Sequence, residues 1–548
     1  LRGAEVAGQE HDKGASSPQN GSGLPHKAIR EELRRVLSHP EFLASPKRRD
    51  FLKYVVEETL AGRADRIKGY SIAMAVFGRG KDFDAGLDPI VRIEAGKLRR
   101  ELERYYLVAG GEDPVRIDIR KGRYVPLFIE QPGPATGAPA ESLSGLSGIG
   151  AKPSVAVMPL ENLTGDTGQD YFVDGLVSEL TVELGRYQNI IAISGGRAGP
   201  APDEPGNAKE TGSQLGARFL LGGTLRRDSE RAKVALHLTD TATGRQVWSE
   251  AYAYKLNPAE VISTQESIAR EVVATIAGEA GIISQRLSRE VRKKKSCDLT
   301  TYEAVLRYQY YMRVMTPESY RSALAALRAA VEREPDYGPA CSALANMHCH
   351  AYIWDIPEFD EPLEKAGEYA RNGALMDPAN QLTRTVMAYV HLLRGELESA
   401  LSEADVALRL NPNSPYFTGT IGYVVMMAGD FDHGRRLVEN AIALNPCHPR
   451  WFHHALWLDD YRQERYESSY RAAVTAGPSL GFWHPVVCAA PLGKLQRRPQ
   501  ARAYIAELRR LKPDFEQRSR ELIARVIKIE GFTEQLIDGL RKAGLEAL

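Results

Sequence analysis

Hydrophobic positions along this chain change their period twice. Between residues 27 and 106 they recur at helical spacing. Between 152 and 285 short apolar runs alternate with helical stretches, and from 299 onward helical spacing holds. In the first region the pattern predicts a helix over 27–38. A second starts at Ser45-Pro46, a capping residue followed by proline in the first turn, carries Phe51, Leu52, Val55 and Val56, and stops at Gly62. A third covers 68–77. A fourth, capped by Asp88-Pro89, reaches Tyr106 and ends near Gly110-Gly111. Residues 115–119 and 123–128 then alternate like strands, with Lys121-Gly122 as the turn.

Residues 131–151 interrupt this order. Fourteen of the 20 residues 131–150 are Gly, Pro, Ala or Ser, which predicts a flexible linker. Beyond it, strands are expected at 154–160, 190–193, 217–226, 233–238 and 246–254, and helices at 170–184 and 260–280. The Gly- and Pro-rich stretch 195–213 reads as a loop. In the last region prolines mark a beat. Pro378, Pro412, Pro446, Pro478 and Pro513 follow one another at 34, 34, 32 and 35 residues. Pro335 precedes Pro378 by 43, so an insertion is expected at about 352–364. A helix–turn–helix unit of this length closing on proline (LRLNP at 408–412, IALNP at 442–446) resembles the tetratricopeptide repeat. Tyr308, Tyr310, Tyr311, Tyr389, Tyr416, Tyr423, Trp451 and Trp457 suit inter-helix core more often than ligand contact, and some of them are candidates for the concave face, where such solenoids usually bind a partner.

At 548 residues and 43% hydrophobic content the chain is expected to form several domains with real cores. Net charge is zero, but residues 27–130 hold 22 Lys and Arg against 17 Asp and Glu, an excess of five that the remainder offsets. Wound at 100° per residue, the fourth helix puts Val91, Ala95, Leu98, Leu102 and Tyr105 on a core side. Gly96 and Arg100 lie opposite, with Arg104 and Lys97 on one flank and Arg92 on the other. A helix with that face fits a DNA major groove, where arginine pairs with guanine edges or phosphates. Arg120, Lys121 and Arg123 surround the hairpin turn, where backbone phosphates would lie. The plainer alternative is a solvated basic face, since Glu94, Glu101 and Glu103 dilute the charge.

Residues 51–128 resemble the winged-helix domain of OmpR-type and CadC/ToxR-type transcription regulators. The likeness rests on FLKYVVEETLAG, YSIAMAVFGR, DPIVRIEAGKLRRELE and PVRIDIRKGRYVPLF. It implies double-stranded DNA as partner, with Arg92, Gly96, Arg99, Arg100 and Arg104 toward the groove or its phosphates and Lys121 and Arg123 on the backbone at the wing. Two features depart from that family: the helix at 27–38 stands where it has a leading sheet, and Arg123 replaces the second wing glycine. Residues 152–285 resemble the TolB amino-terminal-like α/β domain found fused to bacterial class III adenylate cyclases and to repeat proteins. That likeness rests on KPSVAVMPLENLTGD, QDYFVDGLVSELTVEL, LGARFLLGGTLRR and LTDTATGRQVWSEAY. It implies an architecture more than an activity.

Catalytic and metal chemistry find little support. Gly165-Asp-Thr-Gly168 lacks the lysine and Ser/Thr of a phosphate-binding loop, and Asp166, Asp170, Asp174 and Glu179 suit a helix start. His348-Cys349-His350 and His453-His454 fall inside helices, where adjacent side chains diverge. No catalytic, cofactor or metal residue is assigned, and an enzyme is not expected. The cysteines, Cys297, Cys341, Cys349, Cys447 and Cys488, are too scattered for a disulfide framework and suit the cytosol. No run approaches 18 apolar residues.

The expected architecture is therefore multidomain. A disordered tail (1–26) precedes a winged helix-turn-helix of the α+β class (27–130), a linker (131–151), an α/β sandwich domain (152–290) and an all-α tetratricopeptide-repeat solenoid (296–548). The expected function is a cytoplasmic transcription regulator in bacterial signal transduction. It would bind promoter DNA, as a homodimer or paired protomers, and use its body to sense a protein partner or small ligand, with no membrane involved. The alternatives are a protein–protein adaptor whose winged helix does not bind DNA, and a nucleotide- or small-molecule-responsive protein related to cyclase regulatory regions.

Overall fold

The computed structural model describes residues 25–39, 42, 44–80, 90–108, 110, 113–119, 123–130, 152–195, 207–227, 231–255, 260–445, 448–478 and 481–545. They fall into two compact units that divide at residue 140.

The first unit contains four helices and a two-stranded antiparallel sheet: α1 (His26–Ser38), α2 (Pro46–Leu60), α3 (Gly69–Ala75), α4 (Ile90–Val108), β1 (Val115–Asp118) and β2 (Leu127–Glu130). Its core draws Val36 from α1, Phe51 and Val55 from α2, Ile72 from α3, Leu98 from α4 and Ile117 from β1. Ser45 precedes α2 in extended backbone as expected, but its hydroxyl caps nothing. The second strand lies later than the 123–128 expected. Ile117 pairs with Phe128, so strand pairing begins at Leu127, just after Pro126, which has no N–H to give to a ladder. The expected turn at Lys121-Gly122, the cap at Asp88-Pro89, the tail 1–24 and the linker 131–151 lie outside the described residues.

The second unit opens with a mixed sheet. Its strands are β3 (Ser154–Val157), β4 (Glu161–Asn162), β5 (Ile191–Ser194), β6 (Phe219–Arg227), β7 (Arg231–Asp240) and β8 (Arg245–Lys255), in the order β5-β3-β6-β7-β8 with β4 beside β6. β3 runs parallel to β5 and β6, and β6-β7-β8 form an antiparallel meander. α5 (Asp170–Gly185) and α7 (Val261–Ala277) contribute to the larger core cluster, and α6 (Asn207–Leu215) to a smaller one with Ala156, Met158 and Leu220. α6 occupies part of the expected loop 195–213. The prolines of that stretch end at Pro205, and the residues after Gly206 can wind. Asp240 is fully buried and paired with Arg218 at 3.0 Å and with Arg286 of α8 (Ile282–Val291) at 3.3 Å.

Fourteen helices follow, chiefly as antiparallel pairs: α9 (Thr301–Val314), α10 (Pro317–Arg333), α11 (Gly338–Ile353), α12 (Pro362–Met376), α13 (Gln381–Arg394), α14 (Leu397–Leu410), α15 (Pro415–Met427), α16 (Phe431–Leu444), α17 (His453–Arg462), α18 (Tyr466–Ala476), α19 (Trp483–Lys494), α20 (Arg498–Leu511), α21 (Phe515–Val526) and α22 (Phe532–Ala543). This is the array of paired helices that the proline beat predicts. It is not separate from the sheet. Tyr187 Oη donates to the Asn413 carbonyl at 3.0 Å, Asn413 Nδ2 donates to Glu183 at 3.1 Å, and Ser288 Oγ donates to the Leu306 carbonyl at 3.2 Å.

The array also curls until α21 meets α11. The expected insertion supplies the closing group, Asp355, whose φ of 52° lies in the left-handed region that Asp tolerates better than most residues. Its carboxylate accepts from Lys512 Nζ at 2.6 Å, Arg518 Nη1 at 2.6 Å and Arg525 Nη1 at 2.7 Å. Burial works to raise its pKa, but these hydrogen bonds outweigh burial and hold the carboxyl well below the usual range. Gly481, at φ +83°, lies so close to Trp354 that a Cβ there would come within 2.8 Å of the indole. Among the described residues no helix is long and apolar enough to cross a membrane.

Candidate nucleic-acid interface

α4 is oriented by its apolar side. Val91, Ala95, Leu98, Leu102 and Tyr105 are all buried, as their spacing predicts. A polar network holds the helix's last turns. The Ile117 N–H donates to Tyr106 Oη at 2.9 Å, and Tyr106 Oη donates to Glu32 of α1 at 2.9 Å. Arg35 pairs with both Glu32 and Asp113, and Tyr105 Oη donates to Asp113 at 2.7 Å. Glu32 is only 1% exposed, and burial, against the hydrogen bond from Tyr106, pushes its carboxyl up to about 7.

The opposite side of α4 carries the candidate contacts. A Cβ built on Gly96 would meet none of the described residues within 4 Å. Lys97 Nζ pairs with Glu94 at 2.9 Å. Arg99 spans to the hairpin, where Nε donates to the Ile119 carbonyl at 2.9 Å and Nη2 to the Arg123 carbonyl at 3.0 Å. The guanidinium that resemblance assigns to the groove thus ties α4 to the segment before β2. Arg123 is exposed. The side chains of Arg92, Arg100 and Arg104, and all of Arg120 and Lys121, lie outside the described residues.

Arg48 of α2 is a residue that sequence reasoning missed. Its guanidinium pairs with Glu94 at 3.1 Å and with Glu101 at 2.9 Å, and all three side chains are less than a fifth exposed. Burial opposes ionisation of Glu94, but the hydrogen bonds from Lys97 and Arg48 prevail and hold its pKa below the ordinary value. Two of the three acids that dilute the charge of α4 are therefore neutralised inside the unit. The Arg48–Glu94 spacing of 46 residues leaves no local signal of the pairing.

Among the described residues no group of three or more His, Cys, Asp or Glu side chains is arranged to hold a metal ion. Of the histidines singled out in the sequence, His350 is buried and its Nδ1 lies 2.6 Å from Tyr311 Oη, while His348 packs edge-on against Phe359. Cys341, Cys349 and Cys488 are buried and form no disulfide among the described residues.

No family model matches the chain. Over 195 residues, 36% of its length, it is 25% identical to a protein named "Putative adenylate cyclase 3" of Rhizobium meliloti (strain 1021). The matched part spans about a third (32%) of that relative. Among solved structures, a chain of the "Crystal structure of APC/C hetero-tetramer Cut9-Hcn1" aligns with 13% identity and a TM-score of 0.31, covering 51% of this chain and 57% of that one.

Proposed function

We propose that this chain is a DNA-binding transcription regulator in which residues 27–130 act as a winged helix of the OmpR and CadC/ToxR type. The observation that carries the reading is the outer face of α4. It holds a glycine that none of the described residues packs against, in a helix interior where glycine costs about 0.5–1 kcal/mol relative to alanine. The absence of a side chain there suits close approach of a groove wall. Arg92, Arg100 and Arg104 share the helix with Gly96 and would supply groove and phosphate contacts, while Arg120, Lys121 and Arg123 would grip the backbone beside it. The pairing of Glu94 and Glu101 with Arg48 supports the reading, because it removes two carboxylates that would repel phosphates.

In this reading the second unit is a sensory or protein-binding body. Its sheet and α5–α7 are a TolB amino-terminal-like domain, in keeping with the partial likeness to the protein named "Putative adenylate cyclase 3". The chain itself performs no catalysis, works in the cytoplasm and binds paired half-sites as a homodimer. A protein-binding winged helix is the second reading, favoured by Leu127 and Ile129, which are exposed at alternate positions of β2.

The test is duplex binding by the full chain, measured by fluorescence anisotropy across a salt series and compared with an Arg92→Ala/Arg100→Ala/Arg104→Ala variant. The DNA reading expects weaker binding and a log–log salt slope shallower by about 0.9 for each phosphate contact removed. Equal affinity of the two proteins at low salt rejects it and leaves the protein-binding alternative.

A further inference from the structure

The repeat array lines a partly open cavity of about 130 Å³ between the inner helices α9, α11, α13, α15 and α17 and, across the closure, α19 and α21. Four of the five tryptophans of the chain line it, Trp354, Trp451, Trp457 and Trp483, together with Tyr389 and Tyr423. No Asp, Glu, Lys or Arg is among the described residues that line it. Its two histidines are neutral at ordinary pH, since burial pushes His350 down to about 3 and His454 down to about 4. Burial also pushes the Tyr423 phenol up to about 12. An ion entering this space would lose its hydration and meet no countercharge.

Three of the lining side chains are incomplete in another respect. Trp451 Nε1, His454 Nε2 and Trp457 Nε1 are shielded from solvent and have no hydrogen-bond partner. They belong to residues three apart, Trp451 in the short helical turn Arg450–Phe452 and His454 and Trp457 in α17 directly after it, a spacing that places neighbours on one side of a helix. A buried polar atom left unpaired loses its hydration without replacement, and native interiors keep few of them. An indole N–H can only donate, so whatever satisfies it brings an acceptor.

We infer that this cavity is a binding site for a small neutral aromatic molecule of one or two rings that carries a hydrogen-bond acceptor. Its volume is close to that of an engineered cavity of about 150 Å³ that takes up benzene. Aromatic walls favour planar rings through edge-to-face and offset contacts, as the T-shaped Tyr423–Trp451 pair in the wall already does at 6.0 Å. The indole N–H groups of Trp451 and Trp457 select within that class for a ligand with an oxygen or nitrogen acceptor. This inference goes beyond the DNA reading, and binding is measured without DNA, so the two fail separately.

The experiment is calorimetric titration of the full chain, with tryptophan fluorescence as a second signal. The probes are p-cresol, its isostere toluene, and the charged comparators benzoate and benzylammonium. Saturable binding of p-cresol is expected, at least about tenfold tighter than either charged probe. Trp451→Phe, which keeps one six-membered aromatic ring, removes the N–H and opens some space, is expected to weaken p-cresol by about 2- to 10-fold more than it weakens toluene. Val386→Phe, which fills the cavity, is expected to abolish binding of both. Absence of saturable p-cresol binding, equal affinity for benzoate, or full binding by folded Val386→Phe overturns the site. An equal effect of Trp451→Phe on p-cresol and toluene overturns the acceptor requirement. If Val386→Phe does not fold, the Trp451→Phe contrast decides alone, because it adds no volume.

Discussion

Arg48 sits on α2 but governs two carboxylates of α4. Removing it as Arg48→Ala leaves Glu94 and Glu101 partly buried without their shared cation, a loss of about 2–4 kcal/mol at neutral pH in urea denaturation. Glu94 has a depressed pKa in the folded chain, so the stability it contributes is present above the ordinary carboxylate range and lost as pH falls through it. The variant's deficit is therefore expected to shrink toward pH 4. Glu32 has the opposite sign. Its pKa is raised to about 7, so the folded unit binds a proton more tightly than the unfolded chain and loses stability as pH rises from about 4.5 to 7. Glu32→Gln retains an acceptor for Tyr106 and carries no charge. Thermal unfolding from pH 5 to 8 is expected to show the variant gaining on the parent as pH rises, by up to about 3 kcal/mol. A parallel pH profile for the two proteins would remove Glu32 as the cause.

At the scale of elements, α4 is a rigid bar whose inner side is filled and whose outer side is bare at Gly96. Gly96→Ala is expected to raise thermal stability by about 0.5–1 kcal/mol, because the new methyl meets none of the described residues and the helix gains propensity. Under the DNA reading the same change weakens duplex binding, since the methyl stands in the path of the groove wall. A variant that is more stable and binds duplex as well as the parent would place the contact elsewhere. The burial of α4 was legible in the sequence because a helix repeats every 3.6 residues and a core needs one side. The pairing of Arg48 was not, because periodicity says which charges face outward and nothing about which of them meet. β2 was displaced by Pro126, which alternation of apolar residues does not register. α6 was hidden because Gly and Pro crowd the first half of its stretch and colour the whole of it. Of the eight repeat aromatics legible in the sequence, Tyr308, Tyr389, Tyr416, Tyr423, Trp451 and Trp457 line one cavity, while Tyr310 and Tyr311 are not among the described residues that line it. What surrounds that cavity was not legible, since a repeat period describes neighbours only.

At the scale of the whole molecule, Tyr187, Asn413 and Ser288 hydrogen-bond the sheet region to the repeats within the second unit. The repeats are further joined end to end at Asp355. Asp355→Ala removes the carboxylate shared by Lys512, Arg518 and Arg525 and is expected to cost about 3–5 kcal/mol, the range for breaking one partner out of a buried pair, reduced where solvent reaches the arginines. Hydrogen exchange is expected to rise in α21 and in the 354–361 segment together. A rise confined to 354–361 would mean that the closure is held by apolar packing instead. Open solenoids tolerate gain or loss of a unit, because each repeat contacts only those beside it. Here Asp355 and Arg525 meet across 170 residues of chain. One more 34-residue unit between them would carry α21 past α11, and one fewer would leave it short. The number of repeats is therefore part of the fold, and variation in length between Asp355 and Arg525 is confined to the turns that join the helices.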